Sequence, residues 1–268
     1  MSEPMVRMAI SLAVLVVMAV FEVLAPRRTL STPRGRRWLT NLGIIGTGIA
    51  MVRFLGLVGQ AMAVPLVAIA VAEWASADGL GLFNAVSWPP AVEIAAAVIV
   101  LDFAIWLQHL ISHRVPLFWR LHRMHHADTD IDVTTALRFH PVEIGLSMLY
   151  KCLWVLALGA APLAVLAFEV ILNACAMFNH SNVALPGSVD RVLRMVLVTP
   201  DMHRVHHSTL RDEHDTNYGF NLSIWDRLFG TYCAEPRGGQ TGMTIGLSPY
   251  QDQRPSRFLW CLLLPFRR

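Results

Sequence analysis

The sequence predicts an all-α protein, a multi-pass bundle of transmembrane helices carrying a histidine-rich helical cap on the cytoplasmic side. Three observations predict it. Of 268 residues, 54% are hydrophobic and 15% charged, and the mean hydropathy of +0.47 is well above that of a soluble domain. Apolar runs long enough to cross a bilayer alternate with arginine-bearing loops. All 11 histidines lie between His109 and His214, and eight of them form three tight groups.

Met5 to Leu24 is almost uninterrupted apolar sequence, close to the roughly 20 residues that cross a hydrocarbon core of about 30 Å. Arg27, Arg28, Arg34, Arg36 and Arg37 follow with no acid among them. Those charges hold the loop inside, and Ala25-Pro26 is a weak cleavage context, so the segment reads as an uncleaved first span with its N-terminus outside. The next apolar region, Leu39 to Trp74, is too long for one span and marginal for two. No Lys or Arg occurs from Glu73 to Ile111, whereas Arg114, Arg120, Arg123 and Arg138 follow quickly. The loop from Asp78 to Pro90 is therefore expected outside and His113 onward inside, which needs one net crossing between Arg37 and Asp78. The surplus residues then form an interfacial or broken helix around Gln60 and Pro65.

Ala91 to Ile111 is the third principal span. Pro141 to Phe178 is read as a hairpin that dips into or crosses the membrane, turning at Gly159-Ala160-Ala161-Pro162. Gly238 to Pro255 reads as loop, and Ser256 to Arg268 as a short interfacial segment. The expected organisation is N-terminal membrane helices over 1–100, a di-metal catalytic domain over 101–232 that includes the hairpin 141–178, and a C-terminal tail over 233–268.

Composition excludes several classes. The net charge of +3 comes from arginine, Lys151 being the only lysine, and no basic stripe suggests a nucleic-acid partner. Cys152, Cys175, Cys233 and Cys261 are isolated, which fits neither a disulfide framework nor a zinc ribbon. There is no G-x-S-x-G and no glycine-rich phosphate loop, so no catalytic side chain is expected beyond a metal centre.

Helix positions i, i+3 and i+4 share a face, so His122, His125 and His126 can project three imidazoles toward one point. His203, His206 and His207 repeat that H-x-x-H-H spacing, and His109 and His113 stand one turn apart at the inner end of a membrane helix. Imidazole suits iron, zinc, copper or nickel. Eight clustered rings exceed the needs of one ion, so two metals fit better. His180, where the hairpin returns, is a further candidate ligand. His140 and His214 are possible ligands or hydrogen-bond partners of ligands. Two ions held by neutral rings need nearby negative charge. The candidates are Asp102, Glu143, Asp128, Asp130, Asp132, Asp201 and Asp215, with Asp201 preferred for its place beside His203. Arg120, Arg123 and Arg204 are expected to face anionic headgroups or a partner.

Together these elements resemble the fatty acid hydroxylase superfamily, also called the sterol desaturase family, in the bacterial branch near alkylglycerol monooxygenase and the sphingolipid hydroxylases. The matching residues are Leu101-Asp102-Phe103 leading to His109 and His113, then Phe118-Trp119-Arg120-Leu121-His122-Arg123-Met124-His125-His126. They continue through Arg138-Phe139-His140-Pro141, Asn179-His180-Ser181-Asn182, and Thr199-Pro200-Asp201-Met202-His203-Arg204-Val205-His206-His207. Asn217-Tyr218-Gly219 and Trp225-Asp226-Arg227-Leu228-Phe229-Gly230-Thr231 complete the set, which covers Leu101 to Tyr232. The resemblance implies two irons bound by eight to ten histidines, for which zinc can substitute in a purified sample, and O2 as co-substrate. It also implies a membrane lipid substrate, a site facing the cytoplasm from what is expected to be a bacterial inner membrane, and electrons from a separate ferredoxin or a cytochrome b5-like protein with its reductase. One departure is Ala184, where some relatives carry a further histidine.

The activity so implied is hydroxylation, or desaturation, of an unactivated C–H bond; the residues alone do not separate the two. A carotenoid or sterol substrate and ether-lipid cleavage through hydroxylation stay open. The competing class is a non-catalytic membrane metal- or heme-binding protein, although a heme needs only a few axial histidines.

Overall fold

The structure is a computed structural model that describes residues 3–267, and among these the regular elements are helices, with no strand. In chain order the principal helices are α1 (Glu3–Leu24), α2 (Arg34–Met62), α3 (Ala68–Ala77), α4 (Pro90–Arg114), α5 (Pro116–His126), α6 (Pro141–Leu158), α7 (Pro162–Asn179), α8 (Gly187–Leu193) and α9 (Pro200–His206). Helices α1, α2, α4, α6 and α7 are long and apolar enough to cross a membrane. Proline supplies the first turn of α4, α5, α6, α7 and α9, where its fixed φ suits the helix and its missing N–H costs nothing. Leu24, Leu57 and Leu153 are among many apolar side chains left exposed on the long helices, as expected where the surrounding solvent is lipid.

Between Arg37 and Asp78, where one net crossing is expected, α2 is the one helix among the described residues long and apolar enough to span. It ends at Ala63, whose φ of 53° is left-handed, and after the stretch containing Pro65 the short α3 packs on α6 and α7. Both arms of the hairpin are long and apolar enough to cross a membrane. Helices α6 and α7 have 18 residues each, about 27 Å at 1.5 Å per residue, and their turn meets the loop that follows α3. There Leu82 N–H donates to Ala157 O at 3.1 Å, and a Cβ on Gly81 would stand 2.2 Å from Gly159 N. Glycine is required on both sides of that contact, since Gly81 has φ 90° and Gly159 φ 65°. The bundle core is built from residues such as Val71, Leu101, Val155, Val165 and Phe168. All five long helices consequently present one end to the histidine-rich segments.

Buried polar contacts fasten that end. Arg37, 1% exposed, pairs with Asp128 at 2.8 Å and also with Asp132. Asp130 accepts from the backbone of Ser31 and Thr32, and Glu22 accepts from the amides of Val133 and Asn182 at 2.6 and 2.8 Å. Asp128, Asp130 and Asp132 thus hold the α1–α2 connection and α2; they do not offset charge at the histidines. The arginine expectation is corrected for Arg204. Arg120 donates to Pro265 O, and Arg123 to Leu264 O and Arg267 O, while Arg204 is fully buried against Asp201. One face of the C-terminal segment is packed on the chain, with Trp260, Cys261 and Leu264 buried beside Ile44 and Met124, while Leu259 and Leu263 face outward.

Candidate metal centre

Four segments bring the histidines together. His109 and His113 occupy the last turns of α4, His122, His125 and His126 lie on α5, and His180 caps α7. His203 and His206 lie on α9, with His207 as its cap residue. They converge as two sets. His109, His113, His122, His126 and His206 form one; His125, His180, His203 and His207 form the other. Within each set one nitrogen of every ring lies within 4.8 Å of the others, and all nine residues are at most 6% exposed. Each H-x-x-H-H run is divided. Positions i and i+4 of α5, His122 and His126, enter the five-histidine set and His125 enters the other. On α9 the division is reversed, His203 and His207 joining the four-histidine set and His206 the five.

Outer contacts orient five of the nine rings, while Nδ1 of His125, His126, His203 and His207 has no partner among the described residues. His109 Nδ1–H donates to Tyr218 O, His206 Nδ1–H to Thr216 O and His180 Nδ1–H to Ala176 O, each at 2.7 Å. A carbonyl only accepts, so the proton sits on Nδ1 and Nε2 carries a bare lone pair. His122 Nδ1 meets Glu143 Oε1 at 2.6 Å, and His113 Nδ1 meets Asp215 Oδ1 at 3.3 Å. Yet His109 Nε2 lies 3.1 Å from His122 Nε2 and 3.0 Å from His206 Nε2. His180 Nε2 likewise lies 3.1 Å from Nε2 of both His125 and His203. Among His109, His122 and His206 these are lone pairs facing one another with no proton between them, and they repel unless a cation stands among them; in the other set the carbonyl contact fixes His180 alone. Two nitrogens about 2.1 Å from one ion and at right angles to each other are about 3.0 Å apart, so the donor set fits a transition metal at both sets.

Burial, reinforced by the neighbouring imidazoles, holds His125, His126, His203, His206 and His207 far below the usual histidine range. His180 is pushed down to about 4, chiefly by burial. The rings are neutral, the form that ligates. Phe139 stacks on His125 at 4.4 Å between ring centres, and Phe220 lies 4.9 Å from His109. These apolar walls keep bulk water from the nitrogens.

The remaining candidates separate cleanly. Glu143 and Asp215 are the carboxylates that reach histidine. Asp201 pairs with Arg27 at 2.8 Å and with Arg204, since buried Arg204 needs an anion more than a neutral ring does. Asp102 accepts from Trp225 Nε1 at 2.8 Å and from Leu222 N at 3.2 Å, locking the segment 222–225 to α4. His140 caps α6 by accepting from Val142 N, and its Nε2 lies 3.2 Å from Leu262 O, away from both sets. His214 stacks on Trp119 at 5.2 Å and lies with His113 and Asp215 at the margin of the five-histidine set.

Sequence reasoning did not foresee the orienting carbonyls. Their signal was Asn217: with φ 51° and its amide bound to Met202 O and Cys233 O, it turns the chain so that Thr216 O and Tyr218 O meet two different imidazoles. Beside the five-histidine set, a cavity of about 310 Å³ opens between α4, α5 and α6, with Glu143 in its wall.

The fatty acid hydroxylase domain family matches residues 94–231, about half of the chain, and the chain belongs to that family. Ornithine lipid hydroxylase OlsE of Rhizobium tropici is 31% identical over 59% of this chain and 47% of that protein. Alkylglycerol monooxygenase of Homo sapiens is 32% identical over 63% of this chain and 37% of that protein. Cholesterol 25-hydroxylase of Rattus norvegicus is 26% identical over 53% of this chain and 47% of that protein. The chain therefore spans about half or less of the length of these relatives. No solved structure matches it.

Proposed function

We propose that this chain is a membrane di-iron oxygenase that hydroxylates an unactivated C–H bond of a lipid. The observation that carries the reading is the pair of buried imidazole sets, each bringing one nitrogen of every ring within 4.8 Å of the others. Nine rings in two sets exceed the few axial ligands a heme takes. The names of the relatives, hydroxylases and a monooxygenase, favour hydroxylation over desaturation. Overall, one atom of O2 enters the C–H bond and the other leaves as water, with two electrons supplied by a separate redox protein and two protons taken from solvent.

Bound iron supplies the redox chemistry of O2 reduction and C–H oxidation. The chain's own residues do the rest. Tyr218 O, Thr216 O and Ala176 O fix the tautomers of His109, His206 and His180, and Glu143 and Asp215 offset positive charge through His122 and His113. Phe139 and Phe220 exclude water. The arginines between α1 and α2 favour a cytoplasmic location for the cap, and a bacterial inner membrane is the setting proposed.

The test is metal analysis of the purified protein together with lipid profiling under ¹⁸O2 of cells carrying the intact chain or His125→Ala. The expected result is iron in the intact protein, and an ¹⁸O-labelled hydroxylated lipid that disappears in the variant. Retention of full metal content and an unchanged lipid profile in His125→Ala overturns the proposal, as does a Soret band in the intact protein.

A further inference from the structure

The cavity between α4, α5 and α6 lies within the membrane-crossing part of the chain, since α4 and α6 are both long apolar helices. Its α6 wall includes Leu146, Leu149 and Leu153, which are 43%, 36% and 67% exposed, so it opens toward lipid rather than water. At its inner end stands Glu143, 2.6 Å from His122. On α4, Gln108 and Ser112 line the cavity one turn apart, each one residue before His109 and His113. The cavity and the five-histidine set therefore share two helices.

The polar groups of this apolar space can be counted. Ser112 Oγ donates to Gln108 O at 2.9 Å and Tyr150 Oη donates to Ala104 O at 3.0 Å. Gln108 Oε1 accepts from Ser147 Oγ at 3.1 Å. Among the described residues, nothing accepts from the Gln108 side-chain amide. The hydroxyls are spent on the backbone or on Gln108 itself, which leaves this amide as the unspent donor of the wall and Glu143 Oε2 as its unpartnered acceptor. A donor in a lipid-facing cavity calls for an acceptor on whatever fills it.

We propose that the cavity takes one hydrocarbon chain of a lipid bearing an ester or amide carbonyl, and that Gln108 is the specificity-determining residue that donates to this carbonyl. The inference rests on the lipid-oxygenase reading and deepens it by naming the substrate class. A carbonyl held at Gln108 keeps the head of the chain at the end of the cavity where Glu143 meets His122. Carbons near the head of the chain are presented, not its methyl end.

The test is photo-crosslinking in nanodiscs with the iron-loaded protein and two probes. One is a phosphatidylcholine whose ester-linked chain carries a diazirine; the other is its ether-linked analogue without the carbonyl. Labelled peptides are expected from the segments 108–112 and 146–153, and Leu149→Trp should cut labelling by both probes. Gln108→Leu, with Gln108→Met as a second variant, should lower ester-probe labelling about tenfold, the loss of one hydrogen bond, and leave the ether probe unchanged. Labelling confined to α1 or to the outer face of α2, no effect of Leu149→Trp, or equal effects of Gln108→Leu on both probes would overturn the inference. Labelling requires no turnover. Labelling of the groove without ¹⁸O insertion counts against the oxygenase reading alone, and ¹⁸O insertion without labelling counts against this inference alone.

Discussion

His125 and His126 are neighbours in the chain, yet their rings stand 5.3 Å apart at 86° and turn into different sets. His126 joins His113 and His206; His125 joins His180 and His203. A helix advances about 100° per residue, so adjacent positions on α5 address points on either side of its inner face. One short helix can therefore serve two ions.

Double variants distinguish this division from a single shared cluster. His126→Ala with His206→Ala removes two rings of the five-histidine set only, and about one of two metal equivalents should remain. His125→Ala with His126→Ala damages both sets and should retain less. Elemental analysis at matched protein concentration measures both. Equal metal content in the two double variants would show that the sets do not act separately.

Glu143 meets the outer nitrogen of His122 at 2.6 Å and would act through that ring on a bound metal. Glu143→Leu leaves His122 Nδ1–H without an acceptor and removes a negative charge, so metal affinity is expected to fall about 10- to 100-fold. Glu143→Gln keeps an acceptor oxygen and should lose less. Competition with a chromophoric chelator gives both affinities, and a Gln variant as weak as the Leu variant would assign the effect to charge alone.

Arg37 is buried between Asp128 and Asp132. Arg37→Met strands two carboxylates away from water, and a loss of about 3–5 kcal/mol is expected. Equilibrium unfolding in detergent measures it; a loss below about 1 kcal/mol, the scale of an exposed pair, would contradict the assignment.

Burial pushes the His140 imidazole down from its usual 6.5, and its Nδ1 must stay unprotonated to accept from Val142 N. The unfolded chain binds this proton first as pH falls. The contribution of His140 is therefore complete above pH 6.5 and is lost as pH drops from there through the lower folded value. His140→Asn keeps a capping acceptor that does not titrate, so its melting temperature should depend less on pH over that interval. An unchanged slope would place the pH sensitivity elsewhere.

Much of this protein is legible from the order of its residues. Bilayer thickness fixes span length and arginine placement orients the spans, so the crossing by α2 and the return at Gly159 follow from local rules. The histidines announce a metal site because so many imidazoles at helical spacing have no simpler use. The sequence does not contain the partition of those histidines, the choice of Glu143 and Asp215 over Asp201, or the employment of Asp128 and Asp132 by Arg37. Each depends on which distant charge or ring arrives alongside, and buried charges are satisfied by whatever the packing of α1, α2 and the cap brings within hydrogen-bond reach. Residue type set what each side chain can do, and only the tertiary structure, through burial and proximity, decided with whom.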